Sequence, residues 1–153
     1  MIWKTILVPH DFSSSANHAA AVARDEAKSH GARILLLHVI DLPHNMSPDT
    51  AVVPNATGAP ISIKDYAVSS AENHLEDIAA RLAKDGTKPE KLIRLGTPHD
   101  QIIKVAEEMK VDLIIMGTHG RTGLAHLLVG SVAERVVRTS RVPVLTVPQP
   151  DHS

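Results

Sequence analysis

Five short aliphatic runs recur along the chain, and helical patterns separate them. Trp3 to Val8, Arg33 to Ile40, Lys91 to Leu95, Asp112 to Met116 and Val142 to Val147 are too short for helices and read as strands. The first two are apolar enough to read as strands covered on both faces, which is the situation of a parallel sheet. The first intervening helix has Ala16, Ala20, Ala23 and Ala27 on one side, with Ser13 or Ser14 as cap and Gly31 after its end. Small side chains there let a helix lie close to a sheet. A second helix opens with the capping box Ser62 to Asp65 and a staple between Ile61 and Tyr66, and its stripe is Val68, Ala71, Leu75, Ile78 and Leu82. A third begins at Thr97-Pro98 and buries Ile102, Val105, Ala106 and Met109, and a fourth runs from Ser131 through Val137. The alternation predicts an α/β fold: a single open five-stranded parallel sheet with helices on both faces, Rossmann-like, over residues 1–148, followed by a short tail at 149–153.

Asp41 to Pro60 breaks the pattern. It holds Pro43, Pro48, Pro54 and Pro60 without apolar periodicity, so it reads as a loop beyond the usual limit of roughly 12–15 residues, a length associated with lids or disorder.

Composition removes several classes of function. Cysteine is absent from the 153 residues, so no disulfide, thiolate metal site or cysteine nucleophile exists. Together with an N-terminus lacking the features of a signal peptide, this makes the cytoplasm the expected location. The longest aliphatic stretch, Ile34 to Ile40, is interrupted by His38 and is far below the roughly 20 residues needed to cross a bilayer, so no membrane partner is expected. Sixteen basic residues balance seventeen acidic ones, with no basic cluster, and there is one each of Phe, Tyr and Trp, so a nucleic-acid partner is not expected either. Ten histidines could suggest a metal, but His10, His38, His119 and His126 have neither ligand spacing nor thiolate companions and read as structural.

The chemistry concentrates after the fourth strand. Gly117, Gly120 and Gly123 follow Met116, and Gly130-Ser131 stands at a helix start. In open α/β sheets ligands bind at the carboxyl ends of strands. Glycine lets main-chain N–H groups approach phosphate oxygens, and a helix N-terminus attracts them. Ser131 has a second reading, because Ser131 to Glu134 is itself a capping box. Asp11, at the tip of the first strand, offers a carboxylate to a ligand, since the neighbouring serines can cap the helix in its place.

Gly117, two residues, Gly120, nine residues and Gly130-Ser131 form a G-x2-G-x9-G-[ST] pattern. With Val8-Pro9-His10-Asp11-Phe12-Ser13, Leu37-His38-Val39-Ile40-Asp41 and the stretch Gly130 to Arg138, it resembles the ATP-binding branch of the universal stress protein family over nearly the whole chain. The resemblance implies ATP or a close adenine nucleotide, with any Mg2+ held by the phosphates. It implies adenosine contacts from Pro9, Asp11 and Val39, and ribose and phosphate contacts from Gly117, Gly120, Gly130, Ser131 and Val132, with Met116 a further nucleotide-binding residue. His119 and Arg121, inside the loop, are further phosphate neighbours. A stress-response or signalling module that responds to its nucleotide follows, and the resemblance also points to a homodimer through Val142-Val147. A slow ATPase and a nucleotide-independent dimeric scaffold are the alternatives. The Walker and dinucleotide glycine patterns are both absent.

Overall fold

The computed structural model describes residues 2–54, 58–119 and 129–149. Among the described residues seven strands and four α-helices follow one another as β1 (Thr5–Pro9), α1 (Ser14–His30), β2 (Arg33–Ile40), β3 (Ala51–Val52), β4 (Ile61–Ser62), α2 (Ile63–Leu82), β5 (Glu90–Leu95), α3 (Pro98–Glu108), β6 (Leu113–Gly117), α4 (Ser131–Thr139) and β7 (Val144–Val147). Five of the strands form one parallel sheet in the order β5-β2-β1-β6-β7. This is the doubly wound α/β architecture expected from the alternation.

The pleat divides the strand residues between two cores. Ile6 and Val8, Ile34 and Leu36, and Leu113 and Ile115 face α1 and α2, whose Ala19, Ala20, Ala23, Leu75 and Ile78 cover them. Their alternates Leu7, Leu35, Leu37, Ile114 and Met116 face Ile102 and Val105 of α3 and Ala133 and Val136 of α4. A strand with both faces covered cannot show a hydrophobic-polar alternation, hence the continuous aliphatic runs. The caps follow local chemistry: Ser13 Oγ accepts from Ala16 N–H at 3.1 Å, and Gly31, at φ 66°, ends α1 in the left-handed conformation.

The segment 41–60 departs from expectation. Ala51–Val52 pairs with Ile61–Ser62 as a small antiparallel hairpin, and the N–H groups of Ile63 and Lys64 donate to Thr50 O and Pro48 O at 2.7 and 3.1 Å. Helix α2 begins with donors that lack intrahelical acceptors, and this segment supplies acceptors to them. Ser62 caps α2 through Asp65 N–H at 3.0 Å as expected, but Tyr66 is exposed and Ile61 belongs to the hairpin.

Candidate functional site

The sheet opens between β1 and β6. Those two strands are in register only at Ile6↔Leu113 and Leu7↔Ile114, whereas β1 follows β2 to Pro9↔Leu37 and β6 follows β7 to Gly117↔Val147. Proline has a direct part in this divergence. His10 N–H donates to Leu37 O at 2.7 Å on the β2 side, so by alternation Pro9 faces β6, where it has no N–H to extend the ladder. The two halves of the sheet part at the point where strand order reverses, which is where open α/β sheets place ligands.

A cavity of about 270 Å³ fills the gap, near the lower end of the roughly 300–1,000 Å³ usual for small-molecule sites. Pro9, Asp11, Val39, Met116, Gly117, His119, Gly130, Ser131 and Val132 all line it. Gly120 and Arg121 lie outside the described residues, as do Gly123 and His126. Pro98 and Ile102 of α3 also border the cavity and were not singled out from sequence. The apolar spacing of α3 marks its buried face without saying that its first turn reaches the cavity. None of the described residues between 41 and 60 lines it.

At one end the main chain of β2 is open. Leu37 bonds toward β1, and Ile40 accepts from Gly96 N–H at 3.0 Å on the β5 side, so Val39 points both its N–H and its C=O toward β1. β1 has ended there. The next acceptor in that direction, His10 O, is instead taken by His38 Nδ1–H at 2.8 Å. Val39 thus offers one donor and one acceptor side by side at the cavity wall.

At the other end lies the start of α4. Gly130 is its N-cap, at φ −69° and ψ 163°, and Ser131 is its first helical residue. This corrects the capping-box reading of Ser131: no side chain caps α4, and the exposed hydroxyl is not engaged in that role. Gly130 N–H donates to Thr118 O, while Gly130 O accepts from Glu134 N–H at 2.9 Å. The donors that α4 turns toward the cavity are therefore those of Ser131, Val132 and Ala133, which have no intrahelical acceptor.

Gly117 has a different reason to be glycine from the one expected. A Cβ there would lie 2.3 Å from Ser15 Oγ and 3.0 Å from the Ser15 carbonyl carbon, so close packing of β6 on α1 already demands glycine. Asp11 serves two neighbours: Oδ1 accepts from Ser13 N–H at 3.0 Å, and the residue lines the cavity. His10, His38 and His119 border it too, but His10 and His38 spend ring nitrogens on protein partners, and His119 Nδ1 lies 2.9 Å from Thr118 Oγ1.

Fold and cavity define a doubly wound α/β domain with an anion-attracting helix terminus at one end of a crevice and an open strand edge at the other. The model of the universal stress protein family matches residues 3–148, and the chain belongs to that family. Universal stress protein MJ0577 of Methanocaldococcus jannaschii is 35% identical over 155 residues, covering 96% of each chain. A universal stress protein of Thermus aquaticus is 35% identical over 148 residues, covering 95% of this chain and 99% of that one. The solved structure of MJ0577 superposes with a TM-score of 0.81 at 33% identity over 99% of each chain. The same fold recurs at 24% identity and TM-score 0.73 in a universal stress protein in complex with cAMP, over 98% of this chain and all of the other. It recurs again at 23% identity and TM-score 0.67 in a complex with dAMP from Archaeoglobus fulgidus, over 96% of this chain and 99% of that one.

Proposed function

We propose that this protein binds ATP or a close adenine nucleotide in the crevice, and that the bound nucleotide sets its interactions as a stress-response or signalling module. One observation carries the reading: a single cavity joins a free donor-acceptor pair on Val39 to the N-terminus of α4. Adenine presents an acceptor at N1 next to a donor at N6, which complements the N–H and C=O of one extended residue. Guanine presents the reverse pattern on that edge and would leave both main-chain groups unpaired.

Phosphates belong at the opposite end. The amides of Ser131, Val132 and Ala133 and the dipole of α4 favour negative charge, and the Ser131 hydroxyl stands exposed among them. Asp11 suits ribose, whose hydroxyls donate to a carboxylate. Gly120 and Arg121 complete the phosphate loop in this reading, with His119 beside them, and any Mg2+ is held by the phosphates rather than by protein carboxylates. The cAMP and dAMP complexes of two proteins with this fold support the choice of an adenine ligand.

The assembly proposed is a homodimer through β7. This strand is one edge of the sheet, with Leu145 40% exposed, and Val137 of the adjacent α4 is 51% exposed. The opposite edge, β5, is lined instead by the pairs Lys91–Glu76, Arg94–Glu108 and Arg33–Glu90, and charges of that kind discourage edge pairing. Residues 1–148 act as one nucleotide-binding unit, in a cytoplasmic protein. The test of ligand class is mass spectrometry of whatever co-purifies with the protein: adenine nucleotide supports the reading, and a folded protein that neither carries nor takes up any overturns it.

A further inference from the structure

The turn that presents Asp11 is held in a conformation its sequence does not favour. Phe12 has φ 69°, in the strained left-handed region that non-glycine residues rarely enter. Such a conformation persists only where its surroundings over-determine it.

His10 is the residue that does so. Its side chain is almost fully buried, and Nδ1 accepts from Phe12 N–H at 3.0 Å. That bond closes a small ring around the two peptide groups of Asp11. Because Nδ1 accepts, the proton of the neutral ring is on Nε2, which donates to Asn17 Oδ1 at 3.0 Å and so anchors the imidazole to α1. The main chain of His10 is fixed as well, N–H to Leu37 O and C=O from His38 Nδ1–H, so each of its polar atoms is occupied. The next bracket overlaps the first, Asp11 Oδ1 accepting from Ser13 N–H, and Ser13 then caps α1. The Phe12 ring is stacked between His38 and His74, at centroid distances of 4.2 and 4.7 Å. Burial keeps the His10 imidazole neutral, with its pKa lowered to about 4, so Nδ1 stays an acceptor near neutrality.

We propose that His10 is a positioning residue for the nucleotide site: it acts through the Phe12 amide to hold the turn that places Asp11 on the wall of the crevice. The proposal deepens the adenine-nucleotide reading and rests on it for the affinity measurement, but not for the conformational one.

The experiment compares wild type, His10→Leu and His10→Asn. Leucine fills similar space without an acceptor, whereas asparagine can accept the Phe12 N–H in the same two-residue ring. In the ligand-free protein, amide hydrogen exchange at Phe12 should accelerate by about tenfold or more in His10→Leu and stay near wild type in His10→Asn. In titrations, ATP and adenosine should each bind His10→Leu about tenfold more weakly, with His10→Asn largely restored and inorganic triphosphate unaffected in both. Unchanged Phe12 exchange in folded His10→Leu, or equal loss in the two variants, overturns the proposal. Wild type that binds no adenine nucleotide overturns the functional reading alone, and the exchange measurement then decides the role of His10. If His10→Leu does not fold, Asn17→Ala takes its place: faster Phe12 exchange supports the proposal, and unchanged exchange overturns it.

Discussion

Gly117 and Ser15 occupy each other's space: any Cβ at 117 would sit 2.3 Å from Ser15 Oγ and 3.0 Å from its carbonyl oxygen. A serine rotamer can swing away, but the main chain of α1 cannot. Gly117→Ala should therefore destabilise the fold by about 1–3 kcal/mol through overpacking, before any effect on ligand is considered. Chemical denaturation checks this. Ser15 Oγ itself is buried with no hydrogen-bond partner among the described residues, so Ser15→Ala is expected to be neutral or to stabilise by about 1 kcal/mol.

Asp11 serves both a turn and, in our reading, a ligand. Asp11→Asn keeps an oxygen for Ser13 N–H, so it should stay folded while losing the charge-assisted bond to ribose. ATP affinity should fall by an amount on the order of 1.5–3 kcal/mol, measured by titration calorimetry. Wild-type affinity would show that the carboxylate is structural only.

Acid should weaken the fold through His10. Burial is the main cause of its lowered pKa, from 6.5 to about 4; His38 and Arg81 act in the same direction, and the Asn17 hydrogen bond and Asp11 oppose them. The unfolded chain therefore takes up a proton at a pH where the native state does not. Stability from this source is intact above about pH 6.5, is lost as the pH falls toward about 4, and changes no further below that, for a total on the order of 3 kcal/mol. Equilibrium unfolding as a function of pH, repeated with His10→Asn, should show the slope in wild type and its loss in the variant.

Edge pairing through β7 predicts a dimer that one charge breaks. Leu145→Glu puts a carboxylate on the exposed face of the edge strand and should yield a folded monomer, whereas wild type sediments as a dimer at micromolar concentration. A monomeric wild type, with ATP present, contradicts the proposed assembly.

Much of this molecule could be read before its structure, for identifiable reasons. The runs at Ile6 to Val8, Ile34 to Leu37 and Leu113 to Met116 are buried on both faces, and that leaves an unambiguous mark on sequence. The cavity residues Gly117, Gly130 and Asp11, at the strand ends and the start of α4, were legible because they keep a family's spacing. What stayed hidden depends on pairing across distance. Nothing in Ala51-Val52 or Ile61-Ser62 signals that they bond to each other, because strands of two residues carry no periodicity. The clash that makes Gly117 obligatory comes from Ser15, about a hundred positions earlier in the chain. His10 looked like one structural histidine among ten, and only the bonds to Phe12 and Asn17 show what it holds.

Gly130 tests the phosphate end. Its φ of −69° and ψ of 163° are open to any residue and suit a β-branched one, so Gly130→Val should fold. A side chain at the entrance to α4 would crowd phosphate oxygens held by the Ser131, Val132 and Ala133 amides, and ATP binding should be lost while adenosine binding is reduced less. Equal ATP affinity in the folded variant and wild type would remove the phosphate site from α4.

The most direct measurement is a pair of calorimetric titrations of the wild-type protein, one with ATP and one with GTP under identical conditions. Backbone recognition by Val39 predicts saturable binding of ATP and affinity for GTP weaker by at least about tenfold, since guanine leaves a buried donor and acceptor unpaired. Absence of ATP binding, or equal affinity for the two, would contradict the account.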